Sequence, residues 1–341
     1  VGAANIQSSD AYDAAASSYT VSDSASAVLG DTDTVVNDGV SGVVVTDATG
    51  AGFVDAADGV SLTDLEGSLQ VATGDSAADI NFRVEDSASA VAFELAGDNT
   101  ALDGANDLEV IGGDTDMVGA ANIQSSDAYD AAASSYTISD SASAVLGDTD
   151  TAIDAGVSAI NVDGAVGAGV GVQLGALEDA SFDTGFSADI NFNVADDAGD
   201  IATALADDNT LLDNAESLVV DGGTVSVDSA SDIQGVVGYE ASSSDYTIED
   251  SSAAILSEQG FGTVVDSGVE QVFVTDTVNV ADGVSLSDME VALEAERGME
   301  SADIDFDVAG LASDIVANAS DLSGASVVTV TDIADASEAV S

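Results

Sequence analysis

Short runs in which every second residue is apolar return along the chain in a fixed order. In Ile80-Asn81-Phe82-Arg83-Val84 the apolar letters alternate with polar ones, and Ile190, Phe192 and Val194, then Ile304, Phe306 and Val308, repeat the pattern. The intervening positions are Asn81 and Arg83, Asn191 and Asn193, and Asp305 and Asp307, all polar but not the same. A period of two predicts a half-buried strand: packing holds the inward face, while the outward face only has to stay wet.

Three other strand patterns recur around this one. They are "YTVSD" at 19, "YTISD" at 136 and "YTIED" at 246; "VVVTD" at 43, "INVDG" at 160 and "VFVTD" at 272; and "LEVIGG" at 108, "LVVDGG" at 218 and "VVTVTD" at 327. Twelve predicted strands result, 23 to 37 residues apart and on average about 28. Residues 1–34 return at 118–151 with a single change, Val21 to Ile138, and a diverged copy spans 231–256. The sequence therefore reads as three large repeats, 1–117, 118–227 and 228–341, each of about four coils.

Between strands lie Ala/Ser-rich stretches at 23–30, 86–97 and 250–260. Each opens on an Asp suited to cap a helix, continues in small helix-compatible residues and ends on Gly, which predicts helices of two to three turns. The Gly-rich stretch 165–175 reads as irregular, and "GVSL" at 59–62 and 283–286 as a further short strand. Strand, short helix or loop, then strand again is the grammar of a solenoid. The expected fold is a repeat solenoid with parallel β-strands and short helices, either a β- or an α/β-solenoid. Twelve coils at the spacing of neighbouring strands would extend roughly 60 Å. The alternative is a set of tandem β-sandwich domains, one per large repeat; it needs around seven strands each, and four or five are legible.

Composition narrows the function. Of 341 residues 65 are Asp or Glu, and the only basic ones are Arg83 and Arg297, for a formal charge of −63. Nucleic-acid binding needs a basic footprint, and an anionic membrane surface would repel the chain. No apolar run is long enough for membrane insertion. Although aromatics are few, 45% of the residues are hydrophobic, which argues for a packed fold over disorder. The start, "VGAANIQSSD", lacks a basic n-region and an apolar h-region, and both ends of the chain fall within repeat-like text, as expected of a segment of a longer protein.

Without His, Cys or Lys, the Ser-His, Cys-His and Lys-based nucleophile schemes are absent, and so many acids make any carboxylate pair uninformative. The chain reads as a non-enzyme. Oxygen ligands alone select hard divalent cations such as Ca²⁺ or Mg²⁺. The candidate ligands are Asp31 and Asp33 in "GDTDT", their copies Asp148 and Asp150, and Asp114 with Asp116 in "GGDTDM". None of these matches an EF-hand or the Gly-rich Ca²⁺ nonapeptide. Asp23, Asp47, Asp86, Asp140, Asp250 and Asp276 each close a strand, where they would cap the following helix or stack into an acidic ladder. Tyr19, Tyr136 and Tyr246 read as half-buried packing residues, and Asn318 lies in an "NAS" glycosylation pattern.

"YTVSDSASAVL", "YTISDSASAVL" and "VFVTDTVNVADGVSL" resemble the degenerate repeats of very large acidic bacterial extracellular surface proteins, of the β-strand-repeat or haemolysin type exported by type I secretion. The resemblance implies an extracellular, cell-surface location and roles in adhesion, surface coats or filaments. The expected function is thus a structural segment of a surface protein, filament or matrix fibre, with copies of itself and divalent cations as partners. The alternatives are an adhesin arm holding carbohydrate or a host surface, and a surface-layer lattice protein.

Overall fold

The computed structural model describes residues 2–46, 52–184, 189–207, 210–297 and 303–332. The first repeat contains α1 (Gly2–Gln7), β1 (Tyr19–Asp23), α2 (Ala25–Gly30), α3 (Thr32–Val35), β2 (Val40–Val45), β3 (Phe53–Val54), α4 (Ala56–Thr73), β4 (Asp79–Asn81), β5 (Arg83–Asp86), α5 (Ala88–Leu95) and β6 (Leu108–Thr115). Then follow α6 (Met117–Ser125), β7 (Ser135–Asp140), α7 (Ala142–Gly147), α8 (Thr149–Ala152), β8 (Val157–Val166), α9 (Ala168–Thr184), β9 (Asp189–Asp196), α10 (Ala198–Asp207) and β10 (Ser217–Val225). The last are α11 (Val227–Gln234), β11 (Asp245–Asp250), α12 (Ser252–Ile255), α13 (Glu258–Val264), β12 (Val269–Val278), α14 (Val280–Arg297), β13 (Asp303–Gly310), α15 (Ala312–Ala317) and β14 (Ala325–Val330).

The class is α/β, with a large parallel sheet of eleven strands and a separate parallel sheet of three. Two compact units emerge, one of Val1–Asp163 with Ala180–Ile190, the other of Gly164–Asp179 with Asn191–Ser341. In the first, the order is β1-β2-β4 in the small sheet and β3-β5-β6-β7-β8 in the large one. In the second it is β9-β10-β11-β12-β13-β14. Within each sheet the strands run in chain order, with β2 skipping to β4 and β3 to β5, and each described pair is parallel. That excludes the antiparallel β-sandwich for these residues. A parallel neighbour requires a crossover, and here helical segments supply it.

The alternation read from the sequence is the burial pattern. Ile190, Phe192 and Val194 on β9, and Ile304, Phe306 and Val308 on β13, are buried, while Asn191, Asn193, Asp305 and Asp307 are half-buried or exposed. In the first repeat the strand breaks at Phe82, between β4 and β5, where the Phe82 N–H donates to the Asn106 side chain at 3.1 Å.

Two expectations are corrected. The Gly-rich stretch 165–175 is not irregular: most of it lies in the 17-residue helix α9. "GVSL" at 59–62 and 283–286 is not a strand but part of the 18-residue helices α4 and α14. The glycines misled because they serve packing. A Cβ on Gly59 would lie 2.7 Å from Val84 and 3.0 Å from Leu102; on Gly171, 2.9 Å from Val194 and 3.0 Å from Leu212; on Gly283, 2.7 Å from Val308 and 3.0 Å from Leu322. Each glycine costs its helix about 1 kcal/mol relative to Ala. In return the helix closes onto the strand with Phe82, Phe192 or Phe306 beside it.

The strand-closing aspartates act between successive strand–helix segments. Asp140 accepts the N–H of the next residue, Ser141, at 2.6 Å and that of Met117, the first residue of the preceding helix α6, at 3.1 Å. Asp86 does this for Ser87 and Ala56, Asp196 for Asp197 and Ala168, and Asp250 for Ser251 and Val227. Asp276 takes both the N–H and the hydroxyl of Ser252, and Asp332 the N–H of Ala312. The expected cap of the following helix shifts by one position: Ser24, Ser141 and Ser251 are the N-caps, accepting from Ala27, Ala144 and Ala254. Asp47 lies outside the described residues.

Burial works to raise the Asp140 pKa, but the N–H bonds from Met117 and Ser141 outweigh it and hold the carboxyl below its ordinary value. A depressed folded pKa adds stability that is present above the unfolded carboxylate pKa and lost as pH falls through the folded one. Asp140→Ala is expected to lower unfolding stability by about 2 kcal/mol at pH 7, with a smaller loss at pH 2. Urea unfolding of both proteins at the two pH values checks this.

Candidate functional site

The six aspartates proposed as metal ligands divide by local role. Asp116 is the N-cap of α6 and accepts from the Gly119 N–H at 2.7 Å. Asp148 caps α8, accepting the Thr151 N–H at 3.3 Å and its hydroxyl at 2.8 Å. Asp31 precedes α3 without a side-chain cap bond, and Asp33 and Asp150 stand exposed in the first turns of α3 and α8. Asp114, at the end of β6, accepts from the Ser139 hydroxyl at 2.8 Å. Among the described residues, none of the six belongs to a group of three converging carboxylates.

The one such group lies elsewhere, at Asp196, Asp197 and Asp200, whose carboxylate oxygens come within 4.8 Å of one another. It forms where β9 turns into α10. Asp196 receives the N–H groups of Asp197 and Ala168, and Asp197 those of Gly199 and Asp200. The charges of Asp197 and Asp196 push the Asp200 pKa up. All-oxygen donors fit a hard divalent cation that keeps part of its hydration shell. The first and third repeats carry "DSASA" at 86–90 and "GLASD" at 310–314 in the same place, so the cluster belongs to the second repeat alone. "ADDAGD" at 195–200 was the available signal, and the general abundance of Asp hid it.

A second set of acids sits on the long helices. Glu66, Glu178 and Glu290 occupy the same place in α4, α9 and α14, ten residues after Ala56, Ala168 and Val280. Glu66 accepts the Ile80 N–H at 3.3 Å and the Gln70 amide at 3.0 Å. Burial, then the charges of Asp303 and Glu294, push the Glu290 pKa up to about 7.

The tyrosines form a polar frame that also repeats. Gln124 donates to the Tyr136 hydroxyl at 2.9 Å and to the Thr151 carbonyl at 3.0 Å; Gln234 donates to Tyr246 at 2.7 Å and to Thr263 at 2.9 Å; Gln7 contacts Tyr19 and the Thr34 carbonyl in the same way. Tyr136 and Tyr246 are fully buried, not half-buried as expected, and Tyr19 is half-buried. Burial pushes the Tyr246 pKa up to about 12. A second tyrosine series donates to Asn37, Asp154 and Asp266 from Tyr12, Tyr129 and Tyr239 at 2.6, 2.6 and 2.7 Å. Arg83 lies over the Phe53 ring, 4.1 Å from its centroid, and pairs with Asp107, just before β6, and with Glu109 on β6. Asn318 ends α15, its amide donating to the Asp314 carbonyl at 2.8 Å.

The raised Glu290 pKa has a definite sign. The folded state holds the proton more tightly than the unfolded chain, so the associated stability is full below an ordinary glutamate pKa and is lost as pH rises through about 7. Glu290→Gln is expected to gain on the order of 1 kcal/mol at pH 8.5 and nothing near pH 4, after allowance for solvent screening. Thermal unfolding at both pH values measures the difference. No protein-family model matches the chain, and no curated protein does.

Proposed function

We propose that the chain is a structural repeat segment of an extracellular surface protein, filament or matrix fibre, its coils stacked as an α/β-solenoid. One observation carries the reading: the three sequence repeats build the same coil with the same contacts. The Gln–Tyr–Thr frame and the Gly–Phe–Leu packing each occur in all three copies. Duplicating such a unit extends a stack without a new design, because each coil buries its apolar row against its neighbours. The parallel strands in chain order and the inter-coil aspartates support the same conclusion. The resemblance to acidic surface repeats supports the location.

The charge of −63 gives cations a part in this function. Carboxylates not engaged by backbone N–H groups repel one another, and divalent cations screen or bridge them. Addition of Ca²⁺ at millimolar level is expected to raise the melting temperature by several degrees, and EDTA to reverse the gain. Electron microscopy of the same samples should show linear particles with Ca²⁺ that shorten on chelation. Unchanged melting and unchanged particles would remove the cation role; two-dimensional arrays would point to a surface-layer lattice.

A further inference from the structure

We infer that the bare sheet face of the second unit docks an arginine-bearing segment of another polypeptide, with Phe273 as the seat of the guanidinium and Glu249 and Asp305 as its counter-charges. This surface does not depend on the structural role proposed above.

In a parallel sheet whose strands run in chain order, right-handed crossovers place the helices on one face. Burial tells the two faces apart. Tyr246 and Ile248 of β11, Val272 of β12 and Ile304 and Phe306 of β13 are buried. Between them Glu249 is exposed, and Phe273 and Asp305 are half-buried. Parallel sheets are usually covered on both sides, and the open side of a repeat stack is a common binding surface.

Register brings these residues into one row. Glu249 on β11 stands opposite Phe273 on β12, and Phe273 opposite Asp305 on β13. At a strand spacing of roughly 4.8 Å, the aromatic residue has an acid beside it on each side. The Ser326 hydroxyl donates to Asp305 from the next strand. A second row, Thr247, Gln271 and Asp303, adds hydrogen-bonding groups and a further carboxylate.

The fold does not need this combination. The first repeat has Ser22, Val44 and Asn81 in the same row and register. The second has Ser139 opposite Asn161, with Asn191 in the place of Asn81. Both rows are uncharged and without aromatics, so the third repeat alone sets a ring between two acids.

The first unit shows how such a face takes a guanidinium. Arg83 lies over the ring of Phe53, its register partner on β3, 4.1 Å from the centroid. Its Nε donates to Asp107 at 3.1 Å, and its Nη2 pairs with Glu109. Phe273 gathers the same ingredients, a ring and two carboxylates, but Arg83, the one described basic side chain, belongs to the other unit. Arginine suits the seat better than lysine, because a planar guanidinium stacks on a ring while its edge forks to carboxylates. The charge of −63 attracts any cation, so the seat must be separated from that general pull.

The test uses the whole chain and a labelled Gly/Ser peptide carrying three arginines, beside its lysine counterpart. Binding is read by fluorescence anisotropy at about 0.15 M NaCl, where the Debye length is about 8 Å. The arginine peptide should bind about threefold tighter than the lysine peptide, and Phe273→Val should remove that preference. Combining Glu249→Ser, Phe273→Val and Asp305→Asn installs the first repeat's row and should weaken the arginine peptide about tenfold. Asp232→Asn with Asp288→Asn removes the same charge from exposed places on α11 and α14 and should weaken it less than about twofold. Circular dichroism verifies that each variant folds. No binding of the arginine peptide, equal losses in the triple and the control variant, or an arginine preference unchanged by Phe273→Val would each overturn the inference.

Discussion

The bond between a strand-closing carboxylate and the first N–H of the preceding helix-bearing segment is the interaction on which the other contacts depend. A helix leaves its first N–H groups without internal partners and carries partial positive charge at that end. Asp86, Asp140, Asp196, Asp250, Asp276 and Asp332 each bring a negative charge to such an end from the end of the following strand. With Arg83 as its one described basic side chain, the protein answers much of its acidity with peptide groups. Since acceptor and donor belong to successive strand–helix segments, the same bond helps set the spacing between them.

On that spacing rests the apolar layer. Phe82, Phe192 and Phe306 lie beneath α4, α9 and α14, each beside a glycine that lets the helix approach, with Leu102, Leu212 and Leu322 closing the gap. Where no aspartate ends the strand, backbone takes its place. Gly113 and Gly223, at φ 80° and 88°, bring β6 and β10 against the starts of α5 and α10, where a Cβ would meet the Ala88 and Ala198 nitrogens at 3.2 and 2.9 Å. Aspartate closes most of these strands, and glycine closes β6 and β10.

Much of this was legible in the letters. Alternation at Ile80, Phe82 and Val84 and at its copies marked strands with one buried face, and the fixed order of four strand types called for crossovers between them. The long helices were not legible, because Gly59, Gly171 and Gly283 read as breakers when considered alone; only their tertiary contacts explain them. The helix caps were misplaced by one residue because Asp and Ser are both good caps and stand side by side. Converging carboxylates at Asp196, Asp197 and Asp200 could not be separated from the other acids, since convergence depends on how β9 turns into α10. The hydroxyl partners of Tyr129 and Tyr239 lie 25 and 27 residues away, beyond any local pattern.

Because residues 1–34 and 118–151 are nearly interchangeable, a folding chain has little basis for telling them apart. Either α1 or α6 satisfies the glutamine–tyrosine frame, and substituting one for the other would bypass a stretch of 117 residues. Closing so long a loop costs only a few kcal/mol, since the entropy grows with the logarithm of length. Mis-threaded states of nearly native energy are therefore built into the duplication, and slow correction of wrong partners should limit how fast this chain matures. The diverged third copy, with Ser229 where the others have Gly2 and Gly119, is the one segment whose own sequence labels its place.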